Sequence, residues 1–307
     1  MFTLKSVRRV LLSGFLAATA LTATVALAQA KEKSAPAPKM WVIRDEDSTI
    51  YLYGSFHLLK ADTRWKTPAF DKVFDSADTL YMEVDNLDDE KALLALMQQY
   101  GIDPAGGLLK PYTPQEQQRL REGFAKYGLD IDKLLMLKPW LAGVTLTIQQ
   151  MKAAGFAGEA GVDSTLLAVA RAKGLPVKGL ETADTQVRLL STGLFGDDAR
   201  ELLQLVDEEP RVKVLFETLL AAWRTGDEKA LNRLLVTEMK NETPHIYKAI
   251  MVDRNRSWIA PIKAALAGSG TQIIVVGAGH LAGPDSVQAL LRKEGIKVTA
   301  YDYQSAE

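Results

Sequence analysis

Short apolar runs with strand character stand near both ends of the chain, and apolar residues at helical spacing fill the middle. Trp41–Arg44 and Thr49–Gly54 flank the polar turn Asp45–Ser48, which predicts a hairpin. Phe70, Val73 and Phe74 share one helical face within Pro68–Ser76, and Thr79–Val84 returns to the strand pattern. Strand, helix and strand in this order predict a βαβ unit, whose parallel crossover puts both strand ends on one sheet edge. Helical spacing follows over Asp88–Tyr100, Pro114–Tyr127, Pro139–Ala154 and Val162–Ala172. Thr113-Pro114-Gln115-Glu116 has the residues of a capping box, with proline at the first helical position. A brief strand, Pro176–Leu180, closes on Glu181. The pattern is helical again from Asp184 to Leu266, with breaks near Glu209-Pro210, Thr225-Gly226 and Thr243-Pro244. Strand Gln272–Val276, helix Pro284–Lys293 and strand Lys297–Tyr301 end it. The expectation is α/β: a single domain with a central sheet built from strands at both ends of the chain and a large helical insertion.

The first residues read differently. Lys5, Arg8 and Arg9 precede the apolar stretch Val10–Leu27, and Ala26, Ala28 and Ala30 offer small-residue cleavage sites. That is the layout of a secretory signal peptide over 1–30, with 31–39 as a linker holding Pro36 and Pro38 and the domain running from 40 to 307. Cysteine is absent, which excludes a disulfide framework and thiolate metal ligation. The net charge is −1, from 37 basic and 38 acidic residues that are well mixed along the chain. No basic stripe points to nucleic acid, and no second apolar run is long enough to span a bilayer. A soluble mature protein is expected, secreted, and periplasmic if its host is bacterial.

Chemistry concentrates at two places. Thr49–Tyr53 reaches Gly54 and then His57; Gln272–Val276 reaches Gly277 and then His280. The chain has only three histidines, so two of them share one strand-exit setting. Glu83 stands at the end of a third strand. Ligands and catalytic groups of open α/β sheets gather beyond the carboxyl ends of strands, which lets these three converge. Two imidazoles and a carboxylate suit a divalent metal (Mn, Co, Zn or Fe), and a metal-bound water becomes a nucleophile near neutral pH. Each residue also has a plainer reading. A histidine after a strand often serves a buried carbonyl or caps the next helix, and strand-end carboxylates are often solvated.

Gly54-Ser-Phe-His57, Tyr81-Met-Glu83-Val-Asp85, Gly179-Leu-Glu181-Thr182 and Gly277-Ala-Gly-His280-Leu-Ala-Gly283 together resemble the TraB/GumN family, relatives of the Tiki proteins. The resemblance runs from about Met40 to Tyr303, and the paired Gly-x-x-His motifs are its most specific part. It implies a cluster of two histidines, a glutamate and an arginine, and, for the Tiki branch, divalent-metal-dependent proteolysis. More distant similarity reaches erythromycin-esterase-like hydrolases and haem-binding lipoproteins of the ChaN type. Carried onto this chain, it marks His57, Glu83 and His280 as the core, with Arg254 matching the family's Arg-Asn motif. Arg254 would hold a substrate carbonyl or the developing oxyanion, or would form a structural ion pair with Asp163 or Glu181. Glu181 is expected in a supporting role, and Asp163 as a first-turn carboxylate.

Three rival signals are weaker. Gly277-Ala-Gly279-His-Leu-Ala282 fits a dinucleotide fingerprint, with Asp302 at about the right distance, but no further βαβ units can follow it. Glu242-Thr-Pro-His245 has Glu-x-x-His spacing, yet Pro244 reads as a helix start and separates the pair. Ser55 lies two residues from His57 but not in a Gly-x-Ser-x-Gly elbow. The leading expectation is a metal-dependent hydrolase cleaving peptide or other amide or ester bonds, metalloprotease-like. Its metal would lie on His57, His280 and Glu83, with Glu83 and Arg254 catalytic. The competing expectation is a catalytically silent binding or regulatory protein that sequesters a peptide signal, haem or a polysaccharide-related ligand.

Overall fold

The computed structural model describes residues 37–84, 89–193, 200–207 and 209–303. The expected signal peptide, most of the linker and Asp85 lie outside the described residues. Strands β1 (Met40–Arg44), β2 (Ser48–Ser55), β3 (Thr79–Val84), β4 (Val177–Glu181), β5 (Gly270–Gly277) and β6 (Val298–Ala300) form one sheet in the order β4-β3-β5-β2-β1-β6. The hairpin is as expected, with Met40 opposite Tyr53 and Arg44 opposite Thr49. Strands β4, β3, β5 and β2 are parallel, while β1 runs antiparallel to both of its neighbours.

One pairing was not legible beforehand. The crossover from β2 through helix Pro68–Asp75 to β3 exists, but β5 lies between the two strands and pairs with both. Composition explains the placement. Ile273, Ile274, Val275 and Val276 are apolar on both faces and almost wholly inaccessible, as a central parallel strand requires. Alternation then sorts the two layers. Ile273 and Val275 pack with Tyr53, Leu80 and Met82 beneath the helical insertion. Ile274 and Val276 face the other way, with Leu52, Trp258, Ile262 and Leu291.

The expected helices are present with modest changes at their ends. They include Pro139–Ala153 and Val162–Lys173, and the Thr113–Glu116 capping box is closed by reciprocal hydrogen bonds. The helix expected from Pro284 begins at Val287, because Ser286 is extended (ψ 156°) and serves as its N-cap. Within the insertion, Asn232–Thr237 and Tyr247–Asp253 are π-helical rather than α-helical. The second leads directly into helix Arg254–Leu266. Trp223 of helix Glu209–Arg224 donates from Nε1 to the Gly54 carbonyl at 2.7 Å, tying the insertion to the exit of β2.

Candidate functional site

Four parallel strands deliver their carboxyl ends to one rim. Glu181 closes β4, Glu83 lies one residue before the end of β3, Gly277 ends β5, and His57 follows β2 by two residues. His280 sits in a short 3₁₀ turn, Ala278–Leu281, and Arg254 opens the long helix that covers this rim. The reason for glycine at 277 is spatial. A Cβ there would lie 3.3 Å from Glu83 Oε1, 3.5 Å from His57 Nε2 and 3.6 Å from His280 Cδ2. The three side chains therefore meet around a residue that has none. His57, Glu83, Arg254 and His280 line one pocket, so the structure brings all four expected site residues together.

Glu83 is buried and fully engaged. Its Oε1 accepts from the Gly277 N–H at 2.8 Å; its Oε2 accepts from Arg254 Nη2 at 2.6 Å and from Gln186 Nε2 at 3.0 Å. Burial would raise its pKa, but Arg254, the two histidines and the Gly277 N–H hold it well below the usual carboxylate range. Arg254 also grips Glu181 through Nε at 3.1 Å and Nη2 at 2.6 Å. The guanidinium lies over the Trp258 ring at 4.8 Å, and the Trp258 indole N–H donates to Glu181 Oε2. An ion pair of Arg254 with Glu181 was one of the two sequence expectations; its pairing with Asp163 is not found.

His280 is fixed on both nitrogens. Nδ1 faces Asn255 Oδ1 at 2.6 Å, and Nε2 faces Arg254 Nη1 at 3.0 Å. An arginine can only donate, so Nε2 accepts and the proton sits on Nδ1. Burial and the neighbouring guanidinium push this ring down to about 3, which keeps it neutral. Its 3.7 Å approach to Glu83 Oε1 is accordingly not an ion pair.

His57 differs. Its side chain is 25% exposed, and its Nδ1 lies 2.8 Å from Asp163 Oδ2. Burial opposes charging, but the Asp163 and Glu83 carboxylates outweigh it and lift the ring to about 9. Asp163 reaches His57 because Gly161 lets its helix begin against the loop: a Cβ at 161 would fall 2.0 Å from the His57 carbonyl oxygen. Val162 N–H donates to Phe56 O at 2.9 Å and locks that approach.

Gln186 had no sequence signal beyond its position after Glu181, and Asn255 entered only as the second residue of the Arg-Asn motif. Asp163 was expected as a helix-start carboxylate or an ion-pair partner of Arg254, not as the partner of His57. The rival signals do not assemble. His245 is exposed on a short helix, and a 3₁₀ turn follows β5 where a dinucleotide site needs a helix N-terminus. Ser55 is buried and its hydroxyl has no hydrogen-bond partner, His57 included.

Over residues 39–300 the sequence matches the TraB/PrgY/gumN family. The chain belongs to that family. A similar protein is an uncharacterised protein of Treponema pallidum (strain Nichols), 24% identical over 270 residues, which are 82% of this chain and 80% of that one. No solved structure matches.

The metal that the resemblance implies meets a mixed fit. The donor chemistry is right: two imidazoles and a carboxylate, each ring braced on its far nitrogen by Asp163 or Asn255, as metal-binding histidines are. Three carboxylates (Glu83, Glu181, Asp163) around Arg254 and His57 also leave negative charge to balance. The geometry is not that of a finished cage. Among the described residues no three His, Cys, Asp or Glu side chains are arranged to hold an ion. Arg254 Nη1 also occupies the His280 lone pair that a metal would use.

Proposed function

We propose that this TraB/PrgY/gumN protein is a hydrolase acting on an amide or ester bond, working with a divalent metal outside the cytoplasm. The observation that carries the reading is the meeting of His57, Glu83 and His280 around Gly277, at the wall of a pocket whose facing wall is apolar. His57 Nε2, Glu83 Oε1 and His280 Nε2 would hold the ion, the last only if Arg254 Nη1 gave up its hydrogen bond to that nitrogen. A bound ion would supply an acidified water and polarise the substrate carbonyl.

The chain's own residues do the rest. Asp163 fixes the direction of the His57 ring, and the Gly277 N–H fixes one oxygen of Glu83. Arg254 has five donors. Four go to Glu181, Glu83 and His280, which leaves one N–H at the pocket for a substrate oxygen. Arg254 is thus first a clamp that sets Glu83, and only secondarily a contact for the developing oxyanion. The basic residues followed by Val10–Leu27 support export. No described helix is long and apolar enough to cross a membrane.

The test is metal content and turnover measured on one preparation. The purified mature protein is assayed for bound Mn, Co, Zn and Fe, then with a quenched peptide library and acyl esters, beside His57→Ala, His280→Ala and Glu83→Gln. Metal lost in both histidine variants, with turnover abolished in Glu83→Gln, is the expected result. Equal, negligible metal in all proteins would sink the metal reading. Specific ligand binding without any turnover would replace hydrolysis by sequestration.

A further inference from the structure

The pocket has two unlike walls. The sheet rim supplies His57, Glu83 and His280, joined there by Arg254 from the start of helix Arg254–Leu266; the facing wall is Phe216, Leu219, Leu235 and Met251, all from the helical insertion. Every charged group lining the pocket lies on the rim side, where the carboxylates and cations hold one another. The insertion wall offers a substrate no charge and no hydrogen bond. Leu235 and Met251 are brought there by the two π-helical segments, and such segments often mark functional sites. The two side chains also close over Gly279: a Cβ at that position would lie 2.8 Å from Met251 Cε and 3.6 Å from Leu235 Cδ1.

Size narrows the occupant. The pocket has a volume of about 60 Å³. An apolar cavity of about 150 Å³ holds one benzene, so this smaller pocket favours a short aliphatic group over a ring. We propose that the Phe216–Leu219–Leu235–Met251 wall is a selectivity subsite for a short, uncharged aliphatic group on the carbonyl side of the scissile bond, and that Leu235 and Met251 set its depth. The substrate class is therefore a short aliphatic acyl ester or amide, or a peptide with a small aliphatic side chain at that position. The scissile bond in this proposal rests on the hydrolase reading; the subsite does not.

The experiment runs two ladders on the mature chain. Turnover is measured with p-nitrophenyl acetate, butyrate, hexanoate, octanoate and benzoate. Binding is measured by saturation-transfer NMR with butyramide, hexanamide, octanamide and benzamide, which needs no chemistry. In the wild type, butyrate and butyramide should lead the octanoyl and benzoyl members by about tenfold or more, the usual penalty for misfit in an apolar pocket. Leu235→Ala and Met251→Ala should move both optima to six or eight carbons. Gly279→Ala, the mildest change, adds a methyl group to the pocket lining against the flexible end of Met251 and should shorten the optimum to acetate. That variant keeps the test open if an alanine in the wall prevents folding. Ladders that are unchanged in all three variants, a preference for the benzoyl member, or no amide binding at all would each overturn the subsite. Amides that follow the expected ladder while no ester is turned over would keep the subsite and remove hydrolysis.

Discussion

The two walls of the pocket are made by opposite means. The rim wall is polar and heavily cross-bonded: each nitrogen of His280, each oxygen of Glu83 and most donors of Arg254 have a named partner. The insertion wall is held by packing alone, through Leu219, Leu235 and Met251. Errors propagate differently in the two. Removing one member of the rim strands a buried charge or donor, whereas trimming the other wall leaves a void that its neighbours partly fill. The proposed chemistry thus falls on the side that tolerates no adjustment, and the proposed selectivity on the side that does.

The sharpest way to test this contrast is Arg254→Ala, which leaves Glu83 and Glu181 buried without their cation. A loss of about 3–5 kcal/mol in urea unfolding is expected, typical of a broken buried ion pair. Arg254→Lys should recover little of it, because a single ammonium cannot serve Glu83, Glu181 and His280 at once. If Arg254→Ala melts like the wild type, the clamp role is wrong. Met251→Ala comes next, at about 2–4 kcal/mol, the lower part of the usual range for a trimmed core side chain. Its metal content should match the wild type's, and a matching loss of metal would erase the distinction between the walls. Asn255→Ala should cost about 1–3 kcal/mol by leaving the His280 Nδ1–H unpaired. It should also weaken metal retention about 10–100-fold, as measured by competition with a chelator.

The smallest expected effect is at Asp163→Asn. In chelator-treated protein, the His57 ring should titrate near 9 by NMR, and the variant should bring it down towards its ordinary 6.5. The raised value makes the sign definite. The contribution of this pair to stability is fully present below pH 6.5 and is lost as pH rises through about 9, so the variant should differ most from the wild type at low pH. A His57 titration unmoved by Asp163→Asn would mean that the contact does not govern the ring.

Much of the rim was legible from the chain, and the physical reason is locality. A strand that ends in glycine and presents a histidine three residues later is a short pattern, and its repetition in a chain of three histidines linked two distant places. The apolar continuity of Ile273–Val276 marked a buried strand but not its neighbours, because pairing with both β2 and β3 is decided by the whole sheet. The contacts of Asp163 with His57, Asn255 with His280 and Gln186 with Glu83 stayed invisible, because each is made only by the fold. The π-helical segments could not be read either. Over six or seven residues, an extra residue per turn barely disturbs the apolar spacing, so Asn232–Thr237 and Tyr247–Asp253 looked like ordinary helix.

The insertion of β5 between β2 and β3 also has a consequence for time. Ser48 Oγ bonds the Gly268 carbonyl across 220 residues, and closing a loop of that length costs on the order of 5 kcal/mol before any contact along it repays the loss. A growing chain holds β2 and β3 early, yet it lacks both their shared neighbour and His280 until its last fraction is made. A half-finished chain therefore lacks β5, Gly277 and His280, and with them part of the pocket lining.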